Sequence, residues 1–253
     1  MHGKSKILCI AGKNQCAIDC LSFLIKKYKG KIKILALPNK TDDGFDRWQK
    51  SFKKFAKKNK IQITTLNKLY KFKNLYLFSL EYEQLLDIEK FNSKKLFNFH
   101  FSLLPKYRGC HTNFFQLYNG EKKSGVTLHK IDKGIDTGPI IDFITFKIPI
   151  NSTALENYNR LLKKSVILFK RNINRIINDT YNSTKQNVKK GSYYNRKSVD
   201  YKKMIYFNKL RHSVSTHNKI RSLIFKPFQL PIYNGKKIIK SIYKKNKIKL
   251  LYL

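Results

Sequence analysis

Four short apolar runs, Ile7–Ala11 (ILCIA), KIKILALP, Leu75–Leu80 (LYLFSL) and Phe97–Phe101 (FNFHF), fall within the first 101 residues, with amphipathic stretches between them. Runs this short and this apolar, alternating with helix-period segments, fit strands of a parallel sheet whose crossovers are helices. After the first run, Gly12-Lys13-Asn14 makes a turn and AIDCLSFLI has the apolar spacing of a helix on the sheet. FDRWQKSFKKFAKK predicts a second helix, with Phe45, Trp48, Phe52 and Phe55 as a core-facing stripe. Past Gly125, VTLHKID and IIDFITFKIPI read as two further strands. The segment Thr153-Ala154-Leu155-Glu156 is a capping box opening a long helix that carries Leu155, Tyr158, Leu162, Val166, Phe169, Ile173 and Ile176 at helical spacing.

The expected fold is therefore α/β, a Rossmann-like, mostly parallel sheet flanked by helices, with ligands at the carboxyl ends of the strands. A polar stretch from Asn178 to Gly191 marks the expected boundary between a domain over 1–185 and a C-terminal, β-containing annex over 186–253. The annex is too small to rely on its own core. Asn234-Gly235 suits a hairpin turn, and KKIIKSIYKKNKIKLLYL suits a second hairpin.

The 253 residues carry a formal charge of +39, which ordinarily points to nucleic acid or an anionic membrane. Here lysines are spread through nearly every segment, so a generally cationic surface for anionic small molecules is the better expectation, with no nucleic-acid partner. Cys9, Cys16, Cys20 and Cys110 show no zinc-ligand spacing and read as buried free thiols, and no metal is expected. No apolar run approaches the ~18 residues of a membrane span, and the chain reads as cytoplasmic. The turn at Gly12 lacks a full dinucleotide fingerprint, so no NAD site is expected.

Asn98 and His100 lie two apart in FNFHFSLLPKYRG, so on a strand both side chains point to one side while Phe97, Phe99 and Phe101 point to the other. Downstream, Asp136 sits in the glycine-rich loop Asp132–Pro139 (DKGIDTGP) between two apolar strands. A carboxylate beside an imidazole fixes and charges it, and an amide beside both can donate to an oxyanion. No serine or cysteine stands out as a nucleophile, which points to direct acyl transfer to an amine. His129, on the face shared with Thr127 and Ile131, reads as a satisfied structural histidine.

FNFHFSLLPKYRG followed by NGEKKSGVTLHKIDKGIDTGPII closely resembles the catalytic core of formyltransferases that use N10-formyltetrahydrofolate, with their Asn-x-His, SLLPxYRG and GVTxHxxDxGxDTG elements. The resemblance is dense from about Ser93 to Ile150 and loose in the flanking α/β elements. Phe99 and Phe101 depart from it, since many relatives carry Ile and Pro there. It implies that Asn98, His100 and Asp136 are catalytic, and that the co-substrate enters near Phe78, Leu80, Tyr82, Gln84, Leu85 and Leu86. The tail, SYYNRKSVDY and IRSLIFKPFQLPIYNGKKI, looks like that of sugar N-formyltransferases. That likeness implies a nucleotide-linked acceptor such as a dTDP-4-amino-4,6-dideoxyhexose, used for lipopolysaccharide or other surface glycan, with the annex completing its site.

Arg221 then suits a phosphate, Phe225 and Phe228 a base, and Gln229 its edge. For Phe225 and Phe228, plain packing is nearly as good a reading. Lys13, Asn14 and Arg108 suit diphosphate or sugar contacts, although Arg108 would equally brace its own loop. Trp48 and Gln49 stay open between helix packing and a ligand edge. Relatives are often dimers, so a homodimer is an expectation. The alternatives are a methionyl-tRNA formyltransferase-like enzyme and a non-catalytic basic protein on the same fold that binds nucleic acid.

Overall fold

The computed structural model describes residues 6–253. In chain order the elements are β1 (Ile7–Gly12), α1 (Asn14–Tyr28), β2 (Lys33–Pro38), α2 (Phe52–Lys58), β3 (Gln62–Ile63), α3 (Leu66–Tyr70), β4 (Leu75–Leu80) and β5 (Leu96–His100). There follow β6 (Arg108–Gly109), α4 (Thr112–Tyr118), β7 (Lys123–Lys130), β8 (Ile140–Lys147), α5 (Ala154–Ile177) and β9 (Tyr193–Tyr194). The chain continues through α6 (Tyr201–Met204), β10 (Tyr206–Phe207), α7 (Val214–Leu223), β11 (Ile232–Tyr233), β12 (Lys236–Lys244) and β13 (Lys247–Tyr252). The main sheet has the order β3-β2-β1-β4-β5-β7-β8. Pairing is parallel from β3 through to β5, and β7 runs antiparallel to β5. This is the mostly parallel, helix-flanked sheet that the spacing of apolar runs predicts.

Two compact units emerge. One takes the chain up to His100, Val126–Phe143 and Leu162–Gln186; the other takes Phe101–Gly125, Ile144–Leu161 and Asn187–Leu253. The first unit's core has two faces, as strands buried on both sides require. Cys9, Ala11, Leu35, Leu37, Leu75, Leu77 and Leu96 form one cluster. On the opposite face Phe78 stacks on Phe97 at 5.6 Å between centroids and meets Phe169 edge-on at 5.3 Å. Each such aromatic buried contributes about 1.5–3 kcal/mol. Gly12 permits β1 and β4 to approach, since a Cβ there would lie 2.1 Å from the Leu80 carbonyl oxygen.

The expected aromatic stripe of the second helix is corrected. The helix spans only Phe52–Lys58, and Phe45 and Trp48 lie exposed on the loop before it. Three aspartates explain the late start. Asp42 accepts from the backbone N–H of Gly44 and Lys53, Asp43 from Phe45, and Asp46 from Ser51, while Ser51 caps the helix through the Lys54 N–H. Side-chain oxygens that take backbone donors hold a turn conformation against the helix.

In the second unit β10, β11, β12 and β13 form a four-stranded sheet. Both expected hairpins are present. Tyr233 pairs with Lys236 across a turn in which Asn234 and Gly235 are left-handed, and Lys244 pairs with Lys247 across left-handed Lys245 and Asn246. The capping box is also formed: Thr153 N–H donates to Glu156 Oε2 at 2.9 Å and Glu156 N–H to Thr153 Oγ1 at 3.2 Å. The described cysteines are free, and burial pushes the Cys9 and Cys20 thiols up. Among the described residues no helix is long and apolar enough to cross a membrane, and no cluster of metal-ligating side chains occurs.

His217 on α7 is fully buried, with Nε2 2.8 Å from the Ile150 carbonyl oxygen and Nδ1 2.8 Å from Ser241 Oγ. A carbonyl only accepts, so Nε2 carries the proton and Nδ1 accepts from the hydroxyl. Burial lowers the imidazole's pKa below its ordinary 6.5. The unfolded chain therefore takes up a proton at a higher pH than the folded one. The stabilisation is present above the unfolded value and is lost as pH falls from about 6.5 towards the folded value. Melting temperature is expected to drop between pH 7 and 5, and His217→Gln to flatten that slope. An equal slope in both proteins removes His217 as its source.

Candidate active site

At the carboxyl end of β5, Asn98 and His100 emerge on the side of the sheet opposite Phe97 and Phe99. Strand β7 lies alongside in a register that sets Asn98 directly opposite His129 and His100 opposite Thr127. Residues directly opposite on neighbouring strands project to the same face, which brings the His129 ring against the Asn98 amide. After β7 the chain turns through Asp132–Pro139. Asp132 Oδ1 accepts from Gly134 N–H at 3.2 Å and from Thr137 Oγ1 at 2.7 Å. Asp136 takes a left-handed backbone, φ 53°. The turn presses close to β7, because a Cβ on Gly138 would lie 1.8 Å from the Lys130 carbonyl oxygen.

The result is one carboxylate shared by three side chains. Asp136 Oδ1 accepts from Asn98 Nδ2 at 3.1 Å and lies 3.5 Å from His129 Nε2, while Oδ2 lies 3.4 Å from His100 Nδ1. Side-chain exposure is 7% for His100, 2% for His129 and 13% for Asp136, so the charge acts through little water. His129 Nδ1 is 2.8 Å from the Lys130 carbonyl oxygen, which fixes its proton there and leaves Nε2 to accept from Asn98 Nδ2 at 3.2 Å. Both amide hydrogens of Asn98 thus point at protein acceptors. For Asn98 to donate to an oxyanion, one of them must turn from His129 or Asp136 to the substrate. The set suits acyl transfer: a base oriented by a carboxylate, with an amide donor beside it.

The other residues singled out by sequence fall in several places. Phe78 and Leu80 are wholly buried in the sheet core, so only their backbone is available at the strand's end. Tyr82 hydroxyl donates to Gln84 Oε1 at 2.9 Å, and burial pushes its pKa up to about 12. Leu86 packs partly against the core cluster, whereas Leu85 is 80% exposed. Lys13 Nζ pairs with Glu83 at 2.8 Å, and Asn14 opens α1 with φ 61°. Sequence reasoning missed Asn39, whose buried amide donates to the Glu81 carbonyl and accepts from Glu83 N–H, tying the loops after β2 and β4 together. Gln49, like Trp48, lies on the loop rather than on a helix.

In the second unit, Arg108 donates its backbone N–H to the Ser192 carbonyl and lies 5.9 Å from the Tyr193 ring, with Nε buried and unpartnered. Arg221 is 1% exposed; its guanidinium donates to Asn218 Oδ1 and to the Pro149 and Ser152 carbonyls, and burial lowers it to about 10. Its described donors are thus engaged within the fold. Phe225 is buried against Tyr158, Phe228 is 67% exposed, and Gln229 exchanges backbone hydrogen bonds with Phe225.

Several known proteins resemble this chain. Residues 51–173 match the formyl transferase family. A sugar 3N-formyl transferase, WlaRD, solved in the presence of dTDP and 5-N-formyl-THF, is 46% identical with a TM-score of 0.89, over 95% of this chain and 87% of that one. The N-formyltransferase from Helicobacter canadensis, in complex with folinic acid and dTDP-3-aminofucose, is 46% identical with a TM-score of 0.88, over 93% and 87%. The bifunctional polymyxin resistance protein ArnA of Wigglesworthia glossinidia brevipalpis is 34% identical over 56% of this chain, which spans only 22% of ArnA's length. The chain likewise spans about half, 47%, of a methionyl-tRNA formyltransferase from Clostridium tetani, at 35% identity over 60% of this chain. On these likenesses the chain belongs to the formyltransferase family.

Proposed function

We propose that this protein transfers a formyl group from N10-formyltetrahydrofolate to the amine of a dTDP-linked amino sugar for a surface glycan. The observation that carries this reading is 46% identity along nearly the whole chain to two sugar enzymes, one of them solved with dTDP-3-aminofucose. On the strength of those relatives this reading puts the acceptor amine at C3, in place of the C4 amine that the resemblance of the tail implies. The 4-N enzyme from Francisella tularensis is only 21% identical and supports the fold alone. A cytoplasmic location, a homodimer and the absence of a nucleic-acid partner belong to the same reading.

In this mechanism the neutral sugar amine attacks the formyl carbon, forming the new C–N bond, and the carbonyl oxygen becomes an oxyanion. His100 takes the amine's proton through Nε2, while Asp136 holds Nδ1–H and stabilises the imidazolium. Asn98 turns one amide hydrogen onto the oxyanion. Collapse breaks the bond to the folate nitrogen, which receives the proton from His100, leaving a formamide and tetrahydrofolate. The chain's excess of cations favours both partners, a folate glutamate and a nucleotide diphosphate.

A single-turnover assay tests the reading, offering dTDP-3-amino sugars, dTDP-4-amino sugars and methionyl-tRNA with the same formyl donor. Formamide product is expected with the dTDP-3-amino sugar first. Formylation of methionyl-tRNA and of no sugar overturns the proposal.

A further inference from the structure

We propose that Gln186 is the positioning residue of the reaction, acting through the Asp136 turn without touching the reacting atoms. It lies in the polar stretch that sequence alone marks only as a boundary. Its Nε2 donates to the Asp136 carbonyl at 3.0 Å and to the Gly138 carbonyl at 2.6 Å. One amide nitrogen has two hydrogens, so it clasps both ends of the turn with Thr137 between them. The segment that brings Gln186 there is itself fixed, because Thr184 and Ile140 exchange both backbone hydrogen bonds at 2.8 Å.

Three features make this clasp more than a convenient surface contact. Asp136 has φ 53°, a left-handed conformation that aspartate adopts more readily than most residues but still at a cost, which contacts from outside the turn offset. On the other side of the turn, Gly138 leaves no slack against the Lys130 carbonyl. Gln186 Oε1 is buried with no donor, so the fold accepts a stranded acceptor to keep the nitrogen on the two carbonyls. With the turn clamped from both sides, the Asp136 carboxylate is held where one oxygen meets Asn98 and the other faces His100.

The inference rests on the proposed reaction for its activity readout. Gln186→Leu keeps most of the volume and removes both donors. It is expected to lower kcat about 10- to 100-fold, the scale of a misplacement of about 1 Å, with KM for both substrates within about twofold. Gln186→Lys, which can still donate to the carbonyls, is expected to recover most of that loss.

The decisive measurement is a double-mutant cycle, since a residue that acts only through Asp136 has nothing left to do once Asp136→Asn is in place. Gln186→Leu is then expected to change kcat by less than about twofold in that background. An equal loss in both backgrounds, an unchanged kcat in the single variant, or a loss confined to KM overturns the proposal. Amide hydrogen exchange across residues 132–138 needs no substrate and keeps this inference separable from the functional reading. Exchange there is expected to rise about tenfold in Gln186→Leu, and unaltered exchange rejects the clasp even if no acceptor is ever formylated.

Discussion

His100→Ala is expected to slow formyl transfer by about 10²–10⁴-fold, the usual contribution of a positioned general base. The loss should fall on kcat, with little change in KM, because the imidazole acts on a proton that leaves only as the C–N bond forms. The geometry argues for this division of labour. His100 Nδ1 faces Asp136 Oδ2 at 3.4 Å, a contact expected to tighten when substrates exclude water. With Nδ1 turned to the carboxylate, Nε2 is the nitrogen that meets the amine. Because His100 is only 7% exposed, alanine also leaves a void, so His100→Gln serves as a filled control that is equally unable to act as a base. His100→Gln should melt near the parent and His100→Ala somewhat lower, while single-turnover rates collapse in both. A rate within tenfold of the parent in either one would remove His100 from the mechanism.

Much of this was legible because β-strand alternation is a local property. Reading Asn98 and His100 onto one face needs only the period of two, and the hairpins at Asn234-Gly235 and Lys245-Asn246 need only turn chemistry. His129 shows where local reasoning stops. The alternation of VTLH placed its side chain on a face with Thr127, but which residue of β5 stands opposite is a matter of register, and register is set by the whole sheet. Gln186 was invisible for a stronger reason: it lies 48 residues from the carbonyl it holds, in a stretch with no periodicity. The aromatic stripe at Phe45 and Trp48 failed because three aspartates compete for the backbone donors a longer helix would need. The two units were only partly visible for a related reason: three of their divisions fall inside β7, β8 and α5, and only the one after Gln186 lies in the polar stretch.

Asn98→Asp is expected to be the second large effect, and the more diagnostic one. The change keeps the shape, removes both amide donors and sets a carboxyl group about where Nδ2 now stands, 3.1 Å from Asp136 Oδ1. Two carboxylates that close cannot both ionise, so the pair holds one proton with a raised pKa. At high pH, where both carboxyls are forced towards ionisation, the oxyanion loses its donor and meets negative charge, and kcat should fall by about 10²–10³-fold or more. As pH falls, the retained proton gives the new carboxyl an O–H to donate, so the ratio of variant to parent rate should climb. Taking the ratio removes the protonation of the acceptor amine, which slows both proteins alike. Asn98→Ala has no proton to offer and should lose a similar factor at every pH. If the two variants instead trace the same flat ratio, the amide of Asn98 is not what meets the developing oxygen, and its hydrogen bonds to His129 and Asp136 are its whole role.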